Sequence, residues 1–280
     1  MNASATASQD LQRATEERFG FLWSTVDRHP GTVPAYHYRW LRGALPAGHL
    51  RGTALDAGCG PGIDAVHMAE DGAARVFALD SSDGGMKQTR TRARECSAVY
   101  PVQGCLESLP FPSQTFEFVY SYGVLHHLVR PEVGFVELAR VLKPGGWLAI
   151  YVYEDFGDRS RAERALLALV TRIRRWTVRW PPRVLYRACQ LASPVVFVGF
   201  TVPSRLLAAV PWTRPLARRV PFRHGRSFQG LVGDLFDRFA APVEHRYRRW
   251  QIAAWFAEAG LVDVQVLPHR GWLAFGRKHG

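Results

Sequence analysis

The chain has 280 residues, 47% of them apolar, four cysteines and a formal net charge of +12. That length can bury the core of one ordinary α/β domain plus an elaboration, so neither a disulfide staple nor a structural metal is required. The charge is uneven: Asp155 to Trp250 holds 19 arginines against 6 acidic residues, whereas the remainder holds 17 basic and 18 acidic residues. One segment is therefore foreign in composition to the rest.

Taken in order, Met1 to Leu11 is polar and residues 1–18 are expected to be disordered, with Gln12 to Phe21 and Pro34 to Leu45 as helices. Met1 to Arg18 lacks the apolar core of a signal peptide. Cys59, Cys96, Cys105 and Cys189 show no C-x-x-C pair or metal-ligand spacing, so the expectation is a reducing, cytoplasmic setting with no bound metal. Strands are expected at Thr53 to Asp56, Arg75 to Asp80, Ala98 to Val102, Phe116 to Ser121 and Trp147 to Tyr153. They alternate with helices at Gly62 to Glu70, Asp83 to Cys96 and Pro131 to Leu142, a spacing that predicts a parallel sheet with right-handed crossovers. Lys143-Pro144-Gly145-Gly146 is expected to stop the last helix and turn the chain. Gln251 to Gly260 reads as a helix, and Leu261 to Leu267 and Gly271 to Phe275 as two further strands.

Gly58, Gly60 and Gly62 lie between the first strand and its helix, where side-chain-free backbone closely approaches a ligand. About twenty residues later Asp80 ends a second apolar strand, the place where a carboxylate meets a ribose. The two signals predict an adenosine-containing cofactor. Ile63 stands where the dinucleotide fingerprint wants glycine or alanine, which speaks against a nicotinamide oxidoreductase.

Four ordered blocks resemble the class I S-adenosylmethionine (SAM) dependent methyltransferases of the small-molecule type. They are Leu55-Asp56-Ala57-Gly58-Cys59-Gly60-Pro61-Gly62, the strand end at Asp80, Leu109-Pro110-Phe111-Pro112 running into Phe116 to Leu128, and Arg140 to Leu148. The resemblance implies an α/β, Rossmann-like fold: a seven-stranded, mostly parallel sheet with helices on both faces. Residues 19–154 form its core and 250–280 add the last helix and two strands. SAM is the implied cofactor. Gly58, Gly60 and Gly62 then meet its methionine part, Asp56 its ammonium and Asp80 both ribose hydroxyls, with Ser81, Leu106 and Tyr122 completing the cofactor set. The family usually has Asp where Cys105 stands; a thiol accepts weakly, so the adenine amino bond is lost or passes to Glu107, Ser108 or a carbonyl.

Methyl transfer is an in-line displacement in which orientation does most of the work, so no catalytic residue is obligatory. His126 and His127, after the fourth strand, are the candidate bases, although one of them is equally suited to bonding the strand-end loop. Tyr153, Glu154 and His245 flank the same mouth, and His37 and Tyr38 either close over the cofactor or pack.

Residues 155–249 are expected to form a basic, apolar helical cap. Arg161 to Trp180 places Leu166, Leu169, Val170, Ile173, Trp176, Thr177 and Trp180 on one stripe beside Arg172, Arg175 and Arg179. Ala188 to Trp212 contains one charge, Arg205, and its prolines read as breaking it too often for a spanning helix. Three uses compete: a lid whose stripe covers a small-molecule acceptor, a peripheral membrane contact through 161–213 serving a lipophilic acceptor, and a tRNA-binding surface. The remaining alternative is a non-catalytic scaffold recruited to membranes.

Overall fold

The computed structural model describes residues 3–26, 37–50, 52–217, 220 and 228–280. Short apolar segments form β1 (Thr53–Ala57), β2 (Arg75–Asp80), β3 (Val99–Gln103), β4 (Phe116–Tyr122), β5 (Leu142–Val152), β6 (Leu261–Pro268) and β7 (Trp272–Lys278), in the order β3-β2-β1-β4-β5-β7-β6. β7 runs antiparallel to both β5 and β6, and the other neighbours are parallel. The expected seven-stranded fold is present, and the order reverses between β1 and β4, which opens a crevice at their carboxyl ends.

Alternation of side chains along each strand divides the core. Leu55, Val119, Leu148 and Ile150 pack on α5 (Pro131–Val141) and α11 (Arg249–Glu258). Ala54, Phe118, Tyr120 and Ala149 face α2 (His37–Leu41) and α3 (Ile63–Glu70). Helix α4 (Asp83–Ala93) follows β2; its N-cap is Ser82, whose hydroxyl accepts from the Gly85 N–H.

Three expectations are corrected. Residues 1–18 are not disordered over the described part: α1 runs from Ala3 to Val26, stabilised by Phe19, Leu22 and Trp23 packing on the insertion. The second helix spans His37–Leu41, and residues 34–36 of the expected segment lie outside the described residues. Helix α5 stops at Val141, before the glycines, because Leu142 already pairs with Phe116 of β4; Gly145, at φ +77°, lies within β5.

The insertion leaves and returns at one point, since Tyr247 N–H donates to the Tyr153 carbonyl and Asp155 N–H to the Tyr247 carbonyl. It contains α6 (Arg161–Thr177), opened by a Ser160/Glu163 capping box, then α7 (Pro182–Val196), α8 (Val202–Ala209), the single turn α9 (Arg214–Ala217) and α10 (Phe228–Ala240). A π-helical turn at Phe197–Thr201 joins α7 to α8, so Pro182–Ala209 is one continuous helix despite Pro194 and Pro203. The expected breaks are absent: at Pro194 the Gln190 carbonyl that lacks its N–H partner accepts from the Ser193 hydroxyl at 3.1 Å, and Pro203 lies just past the wider turn. This one helix, among the described residues, is long and apolar enough to cross a membrane by length and composition.

Candidate active site

The three glycines after β1 adopt left-handed φ values of +84°, +51° and +78°. The chain folds back so that the Gly58 and Cys59 N–H groups both donate to the Leu79 carbonyl, at 2.7 and 2.9 Å. A Cβ on Gly58 would overlap Val124 Cγ2, and one on Gly60 would stand 3.0 Å from the Trp23 ring. The loop therefore draws β4 against β1 while α1 covers it. Helix α1 comes this close because neither Gly20 nor Gly84 carries a side chain where α1 meets α4.

Asp56, 2% exposed, supplies the test of cofactor fit. Its Oδ2 is buried with no hydrogen-bond partner. Burial, with Asp64 and Asp80 nearby, pushes this carboxyl well above the usual range, and the Ala65 N–H pulls it partly back. Leaving a buried acceptor unpaired costs about 1–3 kcal/mol, more when it is charged. A cationic ligand group removes that cost, so the residues fit the ammonium end of SAM.

Asp80 fits the ribose with one correction. Its Oδ1 accepts from Ser82 N–H at 2.8 Å and from Ser82 Oγ at 2.6 Å, fastening the start of α4, while Oδ2 accepts from Gly60 N–H at 2.9 Å. Each carboxylate oxygen has two lone pairs, so Oδ2 alone keeps one for a sugar hydroxyl, not both oxygens as expected. Cys105 pairs with Ser108 in a short bridge, and burial raises its thiol above the ordinary range. Leu106 is buried in the core. Glu107, an expected substitute acceptor, is clamped through both oxygens by Arg130, at 3.0 Å from its N–H and 2.8 Å from Nε. The Ser81 carbonyl accepts from Gln103 Nε2 at 3.4 Å.

Tyr122 stands at a second group of residues, the mouth at the carboxyl ends of β4 and β5. Its ring is stacked between His37 (4.0 Å) and Tyr151 (4.3 Å), and its hydroxyl lies 3.3 Å from His269 Nε2. His37 and His269 are both pushed down to about 4, chiefly by desolvation, with His269 and then Arg270 adding to the effect at His37 and Arg270 at His269, so both are neutral at pH 7.

His126 is fully buried against the Tyr153 ring, 3.8 Å away, and neither ring nitrogen has a partner. Burial, then the charges of His127, Arg246 and His245, hold its pKa well below the ordinary value. His127 Nδ1 lies 2.7 Å from the Val243 carbonyl, which requires Nδ1–H and directs Nε2 toward Asp237, 3.9 Å away. Asp237 also accepts from the Tyr153 hydroxyl at 3.1 Å; burial raises its carboxyl, and the His127 charge lowers it again. Asp234, one turn earlier on α10, is pushed up to about 6 by desolvation and then by Asp237. Glu154 is removed from the candidates by Arg159, which holds it at 2.6 and 3.1 Å. The His245 backbone N–H donates to the His126 carbonyl at 2.8 Å.

The acids of α10 escaped sequence reading, although a signal exists: from Arg164 to Val243 the only acidic residues are Asp234 and Asp237. Two carboxylates kept three positions apart in a basic segment share one helix face.

Residues 55–150, from β1 into β5, match a family described as a methyltransferase domain. An uncharacterized protein of Synechococcus sp. is 32% identical over 86% of this chain and 56% of its own length. A ubiquinone biosynthesis O-methyltransferase of Maricaulis maris is 29% identical over 66% of each chain. The chain spans about half the length of the curated relatives it matches. A chain of the Haloferax volcanii complex between a methyltransferase and the Trm112 methyltransferase activator shares the fold, at 14% identity and a TM-score of 0.50, over 96% of this chain and 98% of that one. Residues 55–150, which carry the glycine crevice, are therefore a methyltransferase domain, set in a sheet whose order is that of the class I S-adenosylmethionine-dependent methyltransferase fold.

Proposed function

We propose that the protein transfers the methyl group of SAM to a small or medium-sized apolar organic acceptor held between the mouth and α10, at an oxygen, nitrogen or carbon atom. The observation that carries this is the convergence, through the Tyr151 and Tyr153 rings 6.1 Å apart, of an aromatic wall, His37-Tyr122-Tyr151, with the carboxylate of Asp237, which accepts from Tyr153 and lies beside His127. SAM, when bound, supplies an electrophilic methyl on a sulfonium. The aromatic rings orient the acceptor, α1 and α10 exclude water, and Asp237, a stronger base for its raised pKa, takes the proton of an O–H or N–H acceptor. The Maricaulis maris relative, named for O-methylation in ubiquinone biosynthesis, supports an apolar acceptor reacting at oxygen. A tRNA acceptor fits less well, because the arginines of α6 border exposed apolar side chains instead of a solvated phosphate track. A cytoplasmic setting belongs to this proposal.

The test is release of S-adenosylhomocysteine from SAM with a panel of phenols, quinols and aliphatic alcohols of increasing apolar length, with bulk tRNA as control. Asp237→Asn should lower kcat at least 100-fold and leave SAM affinity unchanged. SAM binding without turnover on any apolar acceptor, or turnover on tRNA, overturns the assignment.

A further inference from the structure

We propose that the insertion docks the protein on the surface of an anionic lipid bilayer, lying in the interface through the outward faces of α6 and of the continuous helix Pro182–Ala209. This goes beyond the proposed reaction and does not depend on which acceptor is methylated.

On α6, Val170 and Thr177 are buried, whereas Leu166, Leu169, Ile173 and Trp176 point outward, with Trp176 68% exposed. The stripe predicted to cover an acceptor therefore divides, and its larger side chains face away from the protein. The long helix is divided in the same way. Leu185, Tyr186, Cys189 and Ser193 are buried toward α10 and α1, while Leu191, Val195, Val198 and Leu206 on the other side are 66–81% exposed. Between the two apolar faces, at the α6–α7 turn, Trp180 and Val184 are exposed as well. Soluble monomers rarely expose so many large apolar side chains along one segment without an occupant.

Charge decides the occupant. Arg172, Arg175 and Arg179 run beside the α6 stripe and make no ion pair among the described residues. Arg164, Arg172 and Arg175, with Asp155, Thr171 and Trp176, line a groove of about 760 Å³. Guanidinium groups beside aromatic and aliphatic side chains match phosphate headgroups above acyl chains. A second copy would set the same excess of arginine against itself, which like charges disfavour. The geometry also separates lying on the membrane from crossing it: the α7 half of Pro182–Ala209 is packed on α10 through Leu185, Tyr186 and Cys189, so lipid cannot surround the whole helix.

The experiment is flotation of the purified full chain with vesicles of phosphatidylcholine alone and of phosphatidylcholine with 30% phosphatidylglycerol. Recovery with the anionic vesicles should exceed that with neutral ones at least tenfold, fall in 1 M salt, and be released by alkaline carbonate. Ile173→Glu/Trp176→Glu and Leu191→Glu/Val195→Glu should each lower partitioning at least tenfold, and Arg172→Gln and Arg175→Gln about fivefold each. All these positions are exposed, and unchanged SAM affinity shows that each variant is folded. Equal recovery in the soluble fraction with both vesicle types overturns the proposal. So do carbonate-resistant retention, which means a spanning segment, salt-sensitive capture by bulk tRNA in place of vesicles, and a dimer that Trp176→Glu dissociates.

Discussion

Replacing Asp56 by Asn separates ligand binding from fold stability in opposite directions. The variant keeps an oxygen to accept from the Ala65 N–H but removes the charge that Asp64 and Asp80 oppose and that Oδ2 leaves unpaired. The sign follows from linkage: a carboxyl whose folded pKa is raised stabilises fully below its unfolded value, and that contribution is lost as pH rises through the folded one. Without ligand at pH 8, Asp56→Asn should therefore be more stable than wild type by about 1–3 kcal/mol, a melting shift of several degrees for a chain of this size. At pH 4, where both forms are neutral, the difference should vanish. SAM affinity should fall about 10- to 100-fold, because a charge-assisted hydrogen bond worth about 1.5–3 kcal/mol is lost. Scanning calorimetry at the two pH values, with isothermal titration of SAM, measures both effects. A variant less stable than wild type at pH 8 that binds SAM as tightly would refute the claim that this carboxylate awaits a cation.

Three further outcomes follow from the same geometry. Gly58→Ala should cost about 2–5 kcal/mol in urea unfolding, from its left-handed φ and the overlap with Val124, and Val124→Ala should restore only the overlap part. Asp64, 13% exposed, is pushed up to about 6 by burial, so its contribution is full below about pH 4 and gone above 6; Asp64→Asn should flatten the loss of stability between pH 4 and 7 by roughly 3 kcal/mol, read from denaturant midpoints. Cys105→Asp should tighten SAM binding several-fold by restoring an acceptor for the adenine amino group, and weaker binding in titration calorimetry would show that Cys105 does not face the adenine.

The strands, the glycine turn and the carboxylates at Asp56 and Asp80 were legible in the sequence, because each depends on local pattern: apolar runs bounded by turn residues, and backbone conformations only glycine tolerates. The two histidines after β4 were legible as residues but not in role, since the partners that distinguish them are distant. His127 finds Val243 116 positions away, and Tyr153 finds Asp237 84 positions away, only because the insertion returns beside β5 at Tyr247. The amphipathic stripe on α6 was likewise visible, but periodicity states that a helix has two faces and not which of them is covered. That was decided when α10 took the Val170 and Thr177 side and left Ile173 and Trp176 outside. Continuity through Pro194 was also beyond sequence rules, because a lost N–H bond breaks an isolated helix yet is tolerated where a side chain, here the Ser193 hydroxyl on the Gln190 carbonyl, and a packed neighbour hold the chain. Short-range stereochemistry thus determined the glycine crevice from the sequence alone, whereas the aromatic mouth and the exposed face of the cap were settled by tertiary packing, where burial of one surface obliges another to remain in the open.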